Sequence, residues 1–174
     1  MGYRSDVVNA VAFESREKLL SFLTECRLLD VISTEELATY EIKVFNYKPY
    51  NIEKAKIVYV LHGEFEDVKW YDTFACVSEH IAMLQLANDK GYPTCFIRLG
   101  EDTDDTEENV HSGDDFEFGW WDYGYEVIRT LDVCEGDVTI SVEDLINSNR
   151  AINERSSDDG QQPETSESQD TVSA

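Results

Sequence analysis

An α+β fold is predicted by three observations on this 174-residue chain. Two segments place apolar residues three and four apart, as one buried face of a helix requires. Several shorter runs alternate apolar with polar residues or are rich in β-branched side chains, as strands are. The runs follow one another as strand, helix, strand, strand, helix, strand.

Residues 3–13 read as the first strand, with Val8, Ala10 and Ala12 alternating against Val7, Asn9 and Val11. Ser15 is the expected N-cap of a helix to about residue 29, whose buried stripe is Leu19, Leu20, Phe22, Leu23 and Cys26. Ser33 and Glu36 form a capping-box pattern over a short helical turn. Residues 40–47 alternate as a strand, and Pro49 breaks the chain after it. Residues 57–61 form a continuous apolar run and predict a central strand. Asp72 is the expected N-cap of a second long helix that buries Phe74, Val77, Ile81, Leu84 and Ala87. Gly91 followed by Pro93 stops that helix, and residues 94–99 return as a strand.

This order is the split arrangement of a ferredoxin-like β-α-β-β-α-β core, with two helices on one sheet face and the other face open. The remainder extends it. Residues 100–113 read as a polar acidic loop, and residues 116–123 and 125–133 as an added acidic β-hairpin turning near Asp122, Tyr123 and Gly124. A short strand is expected at 138–141, and Ser141 with Asp144 starts a short C-terminal helix to about residue 149. Residues 1–150 are thus expected to be a single α+β domain. Residues 151–174 are too polar to offset chain entropy and are expected to be a disordered acidic tail.

Charge is the strongest functional signal. The formal net charge is -23, and it is concentrated: residues 99–150 carry 16 acids against Arg129 and Arg150. Residues 1–98 are nearly balanced, with 15 acids and 11 Lys+Arg. Crowded carboxylates repel one another. Such a chain is a poor ligand for nucleic acid or anionic membranes, and a good one for a partner that presents cations. The sequence shows no apolar block long enough to span a membrane and no secretory signal pattern, so a cytoplasmic location is expected. Cys26, Cys76, Cys95 and Cys134 include no C-x-x-C pair, and they read as buried free thiols.

The acidic stretch Glu101, Asp102, Asp104, Asp105, Glu107 and Glu108 has three readings: a calcium loop, a solvated charged loop, or a recognition surface. Counted from Asp102, the EF-hand positions for Gly and Glu hold Glu107 and Gly113, so that pattern fails. A nuclease-like magnesium site normally comes with a cation to steady phosphate, and the stretch has none. The same sign continues through Asp114, Asp115, Glu117, Asp122, Glu126, Asp132, Glu135, Asp137, Glu143 and Asp144, which a solubilising loop does not require. Carboxylates on one strand face repeat at about 6.6 Å, a coarse imitation of a phosphate row. Phe116, Phe118 and Trp120 alternate inward, leaving Trp121, Tyr123 and Tyr125 as candidate partner anchors.

His62, with Glu64 and Glu66, is placed at a strand end, and His80 on or beside the polar helix face. Neither they nor His111 belong to a catalytic or metal motif, and no nucleophile elbow or nucleotide fingerprint occurs. No catalytic residue, metal or cofactor is assigned.

The opening Met1-Gly2-Tyr3-Arg4-Ser5-Asp6-Val7 resembles the start of small proteins of unassigned function encoded by bacteriophages and prophages. Size and charge are similar to those of phage DNA-mimic inhibitors of restriction, CRISPR or nuclease systems. These resemblances imply an anti-defence inhibitor in the host bacterial cytoplasm. Its partner would be a basic nucleic-acid-binding host protein, bound through Glu101, Asp102, Asp104, Asp105, Glu107, Glu108, Asp114, Asp115, Glu117, Trp121, Asp122, Tyr123 and Tyr125. The main alternative is a non-enzymatic binding module whose open sheet face forms a homodimer or holds a small molecule. An enzyme using His62, Glu64 and Glu66 is a third reading.

Overall fold

A computed structural model describes residues 4–48, 55–102, 104–125, 136 and 138–149. They form an α+β structure around a six-stranded antiparallel sheet. The strands are β1 (Ser5–Phe13), β2 (Glu41–Tyr47), β3 (Lys56–Val68), β4 (Thr94–Gly100), β5 (Thr106–His111) and β6 (Val138–Ser141). Their order across the sheet is β5-β4-β1-β3-β2-β6. The helices are α1 (Arg16–Leu28), α2 (Thr34–Leu37), α3 (Ala75–Asp89) and α4 (residues 142–149), with a 3-10 turn at Trp120–Tyr123.

Local chemistry accounts for most boundaries. Ser15 Oγ accepts from the Lys18 amide and caps α1, as expected. Ser33 Oγ accepts from Glu36 N at α2, and Ser141 Oγ from Asp144 N at α4. At the end of α3, Gly91 takes φ +70, so that Tyr92 N–H reaches Ala87 O and Gly91 N–H reaches Asn88 O. That left-handed turn closes the helix where Gly91 predicts it. The start of α3 differs from expectation. Asp72 does not cap it; the helix begins at Ala75 behind Phe74, which makes no side-chain cap.

Alternation along the strands separates two cores. On one face Val11, Phe13, Leu61 and Ile42 pack with Leu19, Phe22, Leu23 and Cys26 of α1, Met83, Leu84 and Ala87 of α3, and Val142 and Leu145 of α4. Burying each of these large apolar side chains stabilises the fold by roughly 1.5–3 kcal/mol before entropy is counted. On the other face Val8, Ala10, Ala12, Val58, Val60, Cys95 and Ile97 meet Phe45, Tyr47, Phe116, Phe118, Trp120 and Tyr125.

The second core overturns the open sheet face. The aromatic residues between 116 and 125 cover that face, because the even-numbered residues of β1 and their neighbours form a second apolar surface there. The expected hairpin over 116–133 is absent from residues 116–125. They cross the sheet as irregular chain and one 3-10 turn, while 126–133 lie outside the described residues. The predicted acidic loop at 100–113 is also corrected: 106–111 is strand β5, paired with β4 from Leu99↔Thr106 to Thr94↔His111.

Three smaller corrections follow from packing. β3 extends well beyond residues 57–61, which places His62 in mid-strand rather than at an end, and Ile57 is exposed. α3 turns Phe74 and Ile81 toward solvent and buries His80 and Met83 instead. Cys26 and Cys95 are buried but Cys76 is exposed. Cys134 and the chain from residue 150 onward lie outside the described residues, as do Glu126, Asp132, Glu135 and Asp137.

Candidate functional site

The acidic segment is tied to the sheet by one cation. Arg98 on β4 directs Nη1 to Asp105 Oδ2 at 2.8 Å and Nη2 to Asp105 Oδ1 at 2.7 Å, with Nε 3.5 Å from Glu107. This forked contact holds the turn between β4 and β5. Its hydrogen bonds to Asp105 hold the guanidinium pKa above its usual value. Gly100 N–H donates to Asp105 O and closes the same turn, while Glu101 Oε1 accepts from Arg4 N.

Asp105 apart, the carboxylates of this segment face solvent, including Glu107 and Glu101 with their contacts to Arg98 and Arg4. Glu101, Asp102, Asp104, Glu107, Glu108, Asp114, Asp115, Glu117 and Asp122 are all exposed. They do not share a plane. Glu107 pairs with Arg98 in register and lies on the helix side of the sheet; Glu108 pairs with Ile97 and lies on the other. Asp114 is beside Gly91 at the end of α3, and Asp122 is beside Tyr47 on β2. The acids therefore lie on both faces of the sheet, from the β5 edge and the end of α3 to the aromatic segment beside β2.

The aromatic anchors divide. Trp121 is 63% exposed at the 3-10 turn. Tyr123 is half-buried and stacks on Phe118 with ring centroids 5.2 Å apart. Tyr125 is fully buried, so it is not an exposed contact. Its hydroxyl lies 3.0 Å from His62 Nδ1. His62 Nε2 is 3.4 Å from Glu64 Oε2. An ionised carboxylate can only accept, so the ring proton belongs on Nε2 and Nδ1 accepts from Tyr125. Burial first, and then the nearby charge of Lys43, push the His62 pKa down to about 3. His62 is thus a neutral structural link between β3 and the aromatic layer.

His80 is also buried, contrary to the polar-face expectation. Tyr40 Oη lies 2.9 Å from its Nδ1 and Glu36 Oε2 3.1 Å from its Nε2, while Asn9 Nδ2 donates to Tyr40 Oη. Burial lowers the His80 pKa against the opposing pull of Glu36. Gly63 leaves room for Tyr40: a Cβ there would lie 2.7 Å from the Tyr40 ring. Among the described residues, no group of three or more His, Cys, Asp or Glu side chains is arranged to hold a metal ion. No described helix is long and apolar enough to cross a membrane.

The helix side carries a groove that the sequence pattern does not announce. β5 extends past α3, and the space between them is about 710 Å³. Trp70, Phe96 and Ile81 line one part, and Arg98, Glu107, Asn109 and His111 another. Trp70 stacks on the His80 ring at 5.6 Å and lies 6.1 Å from Phe96. The signal for Arg98 was present, since it is the last cation before the acidic run. The strand character of 106–111 was masked by two adjacent glutamates.

No protein-family model matches the chain, no curated protein matches it, and no solved structure matches it.

Proposed function

We propose that this protein is a non-enzymatic acidic inhibitor that binds a basic, nucleic-acid-handling protein by presenting carboxylates where that protein expects phosphates. The observation that carries this reading is the anchoring of the acids. Nine exposed acids lie between residues 101 and 122, a stretch held by strand β5 and by the buried Phe116, Phe118 and Trp120. A fixed array costs less ordering entropy on binding than a mobile one. Displacing counterions from a cationic groove would favour it as it favours DNA. Trp121 would add buried contact beside the charges.

On the fold, we infer a ferredoxin-like core in β4-β1-β3-β2 with α1 and α3, enlarged by β5 and β6. The likeness of the opening residues to phage and prophage proteins favours a cytoplasmic defence nuclease, restriction enzyme or CRISPR effector as target.

Affinity capture from bacterial lysate at low and high salt tests this. DNA-binding proteins should be retained at low salt, released by excess duplex DNA, and lost when Asp102, Asp104 and Glu108 are changed together to Lys. Retention indifferent to salt, DNA and charge reversal would reject the proposal. A second reading, a module for a small ligand, is favoured by the groove between α3 and β5. It predicts binding that survives the triple reversal and is lost on Trp70→Ala.

A further inference from the structure

β5 is the outer strand on its side of the sheet, and its backbone phase is set by two independent contacts. Ala12 N–H donates to Pro93 O at 2.9 Å, and Gly100 N–H to Asp105 O at 2.7 Å. Given the registers of β1 with β4 and β4 with β5, alternation assigns Thr94, Phe96 and Arg98 to hydrogen bonds with β5. Their partners His111, Asn109 and Glu107 bond inward. The backbone N–H and C=O groups of Thr106, Glu108 and Val110 therefore turn outward, and no described strand pairs with them.

An edge of this kind is a template for one more strand. We propose that β5 accepts an extended basic segment of the partner as a seventh strand, with alternate Arg or Lys side chains entering the groove between β5 and α3. This rests on the reading that the partner is basic. Charge complementarity selects the occupant. Glu107 borders the groove on the side where alternate residues of an added strand would project, and Glu108 meets the intervening ones. Trp70 and Phe96 offer ring surface against which a long cationic side chain can lie. Added strands lie about 4.8 Å from their neighbour, so such side chains would stand next to Glu107 and Asn109.

The test uses the full chain and a blocked ten-residue peptide of alternating Arg and Thr, compared with the same peptide N-methylated at alternate amides. Methylation keeps the charge and removes the donors of one edge, so both registers of methylation are needed. The unmethylated peptide should bind at least tenfold tighter than the version whose pairing edge is blocked. On binding, the amides of Thr106, Glu108 and Val110 should gain protection from hydrogen exchange, while Glu107, Asn109 and His111 are protected beforehand. Glu108→Pro should weaken binding at least tenfold relative to Glu108→Gln, since proline removes an outward donor and is tolerated on an edge. Equal affinity for all three peptides, with loss on reversing Asp102, Asp104 and Glu108 to Lys, overturns strand addition and leaves the acidic-ligand reading standing. Binding unmoved by that reversal overturns both.

Discussion

The Tyr125 hydroxyl donates to His62 Nδ1 at 3.0 Å, joining the end of the aromatic segment to the middle of β3 beneath a layer from which water is excluded. This one contact ties a buried histidine beside two glutamates to the aromatic layer. It also marks where a segment crossing the sheet without strand pairing is pinned.

Replacing Tyr125 with Phe keeps the ring but leaves His62 Nδ1 buried without its donor. Stability to urea should fall by about 1–2 kcal/mol, with the near-ultraviolet circular dichroism retained. No change in the unfolding midpoint would remove the contact from the list of interactions that hold the segment.

Because burial holds the His62 pKa down at about 3, well below the usual imidazole value of about 6.5, protons bind preferentially to the unfolded chain between those values. The contribution is fully present above pH 6.5 and declines as the pH falls toward 3. Urea titrations from neutral to acid pH should show the wild type losing on the order of a few kcal/mol relative to His62→Gln. Parallel curves for the two proteins would contradict this. The carboxylates titrate in both, so the comparison isolates the ring.

Trp120 and Trp121 are adjacent in sequence and opposite in environment, at 1% and 63% exposure. Trp120→Ala should cost about 3–5 kcal/mol through the cavity it leaves between Phe118 and Tyr125. Trp121→Ala should change stability by no more than about 0.5 kcal/mol. It should also reduce the acrylamide-quenchable tryptophan fluorescence, leaving that of the half-buried Trp70.

The Arg98–Asp105 fork is only part-exposed, with side chains 19% and 30% accessible. A double-mutant cycle with Arg98→Ala and Asp105→Ala should return a coupling of about 1 kcal/mol that shrinks in high salt. Arg98→Ala alone should also speed amide exchange along β5, since Glu107 then loses its cation.

Helix stripes and caps were readable in advance at Ser15, Ser33, Ser141 and Gly91, because each acts through backbone groups within about four residues. β1, β2 and β4 were readable for the same local reason. The acidity of residues 101–122 is a property of composition, and no fold could conceal it. What could not be read was the partner of each face. Glu107 and Glu108 disguised β5, whose strand character comes from pairing with β4 rather than from its own propensity. His80 looked polar by its neighbours, yet Tyr40 and Glu36, distant in sequence, make a buried site for it.

The amino-acid sequence alone determined where the charge lies, the caps of α1, α2 and α4, the stop of α3 at Gly91, and the buried stripe of α1. The tertiary structure alone decided that the aromatic block closes the second sheet face, that Tyr125 is interior, and that the acids are divided between both faces of the sheet. The physical reason is range: caps and periodicity act over a turn or two of chain, whereas covering an apolar sheet face depends on which distant segment reaches it.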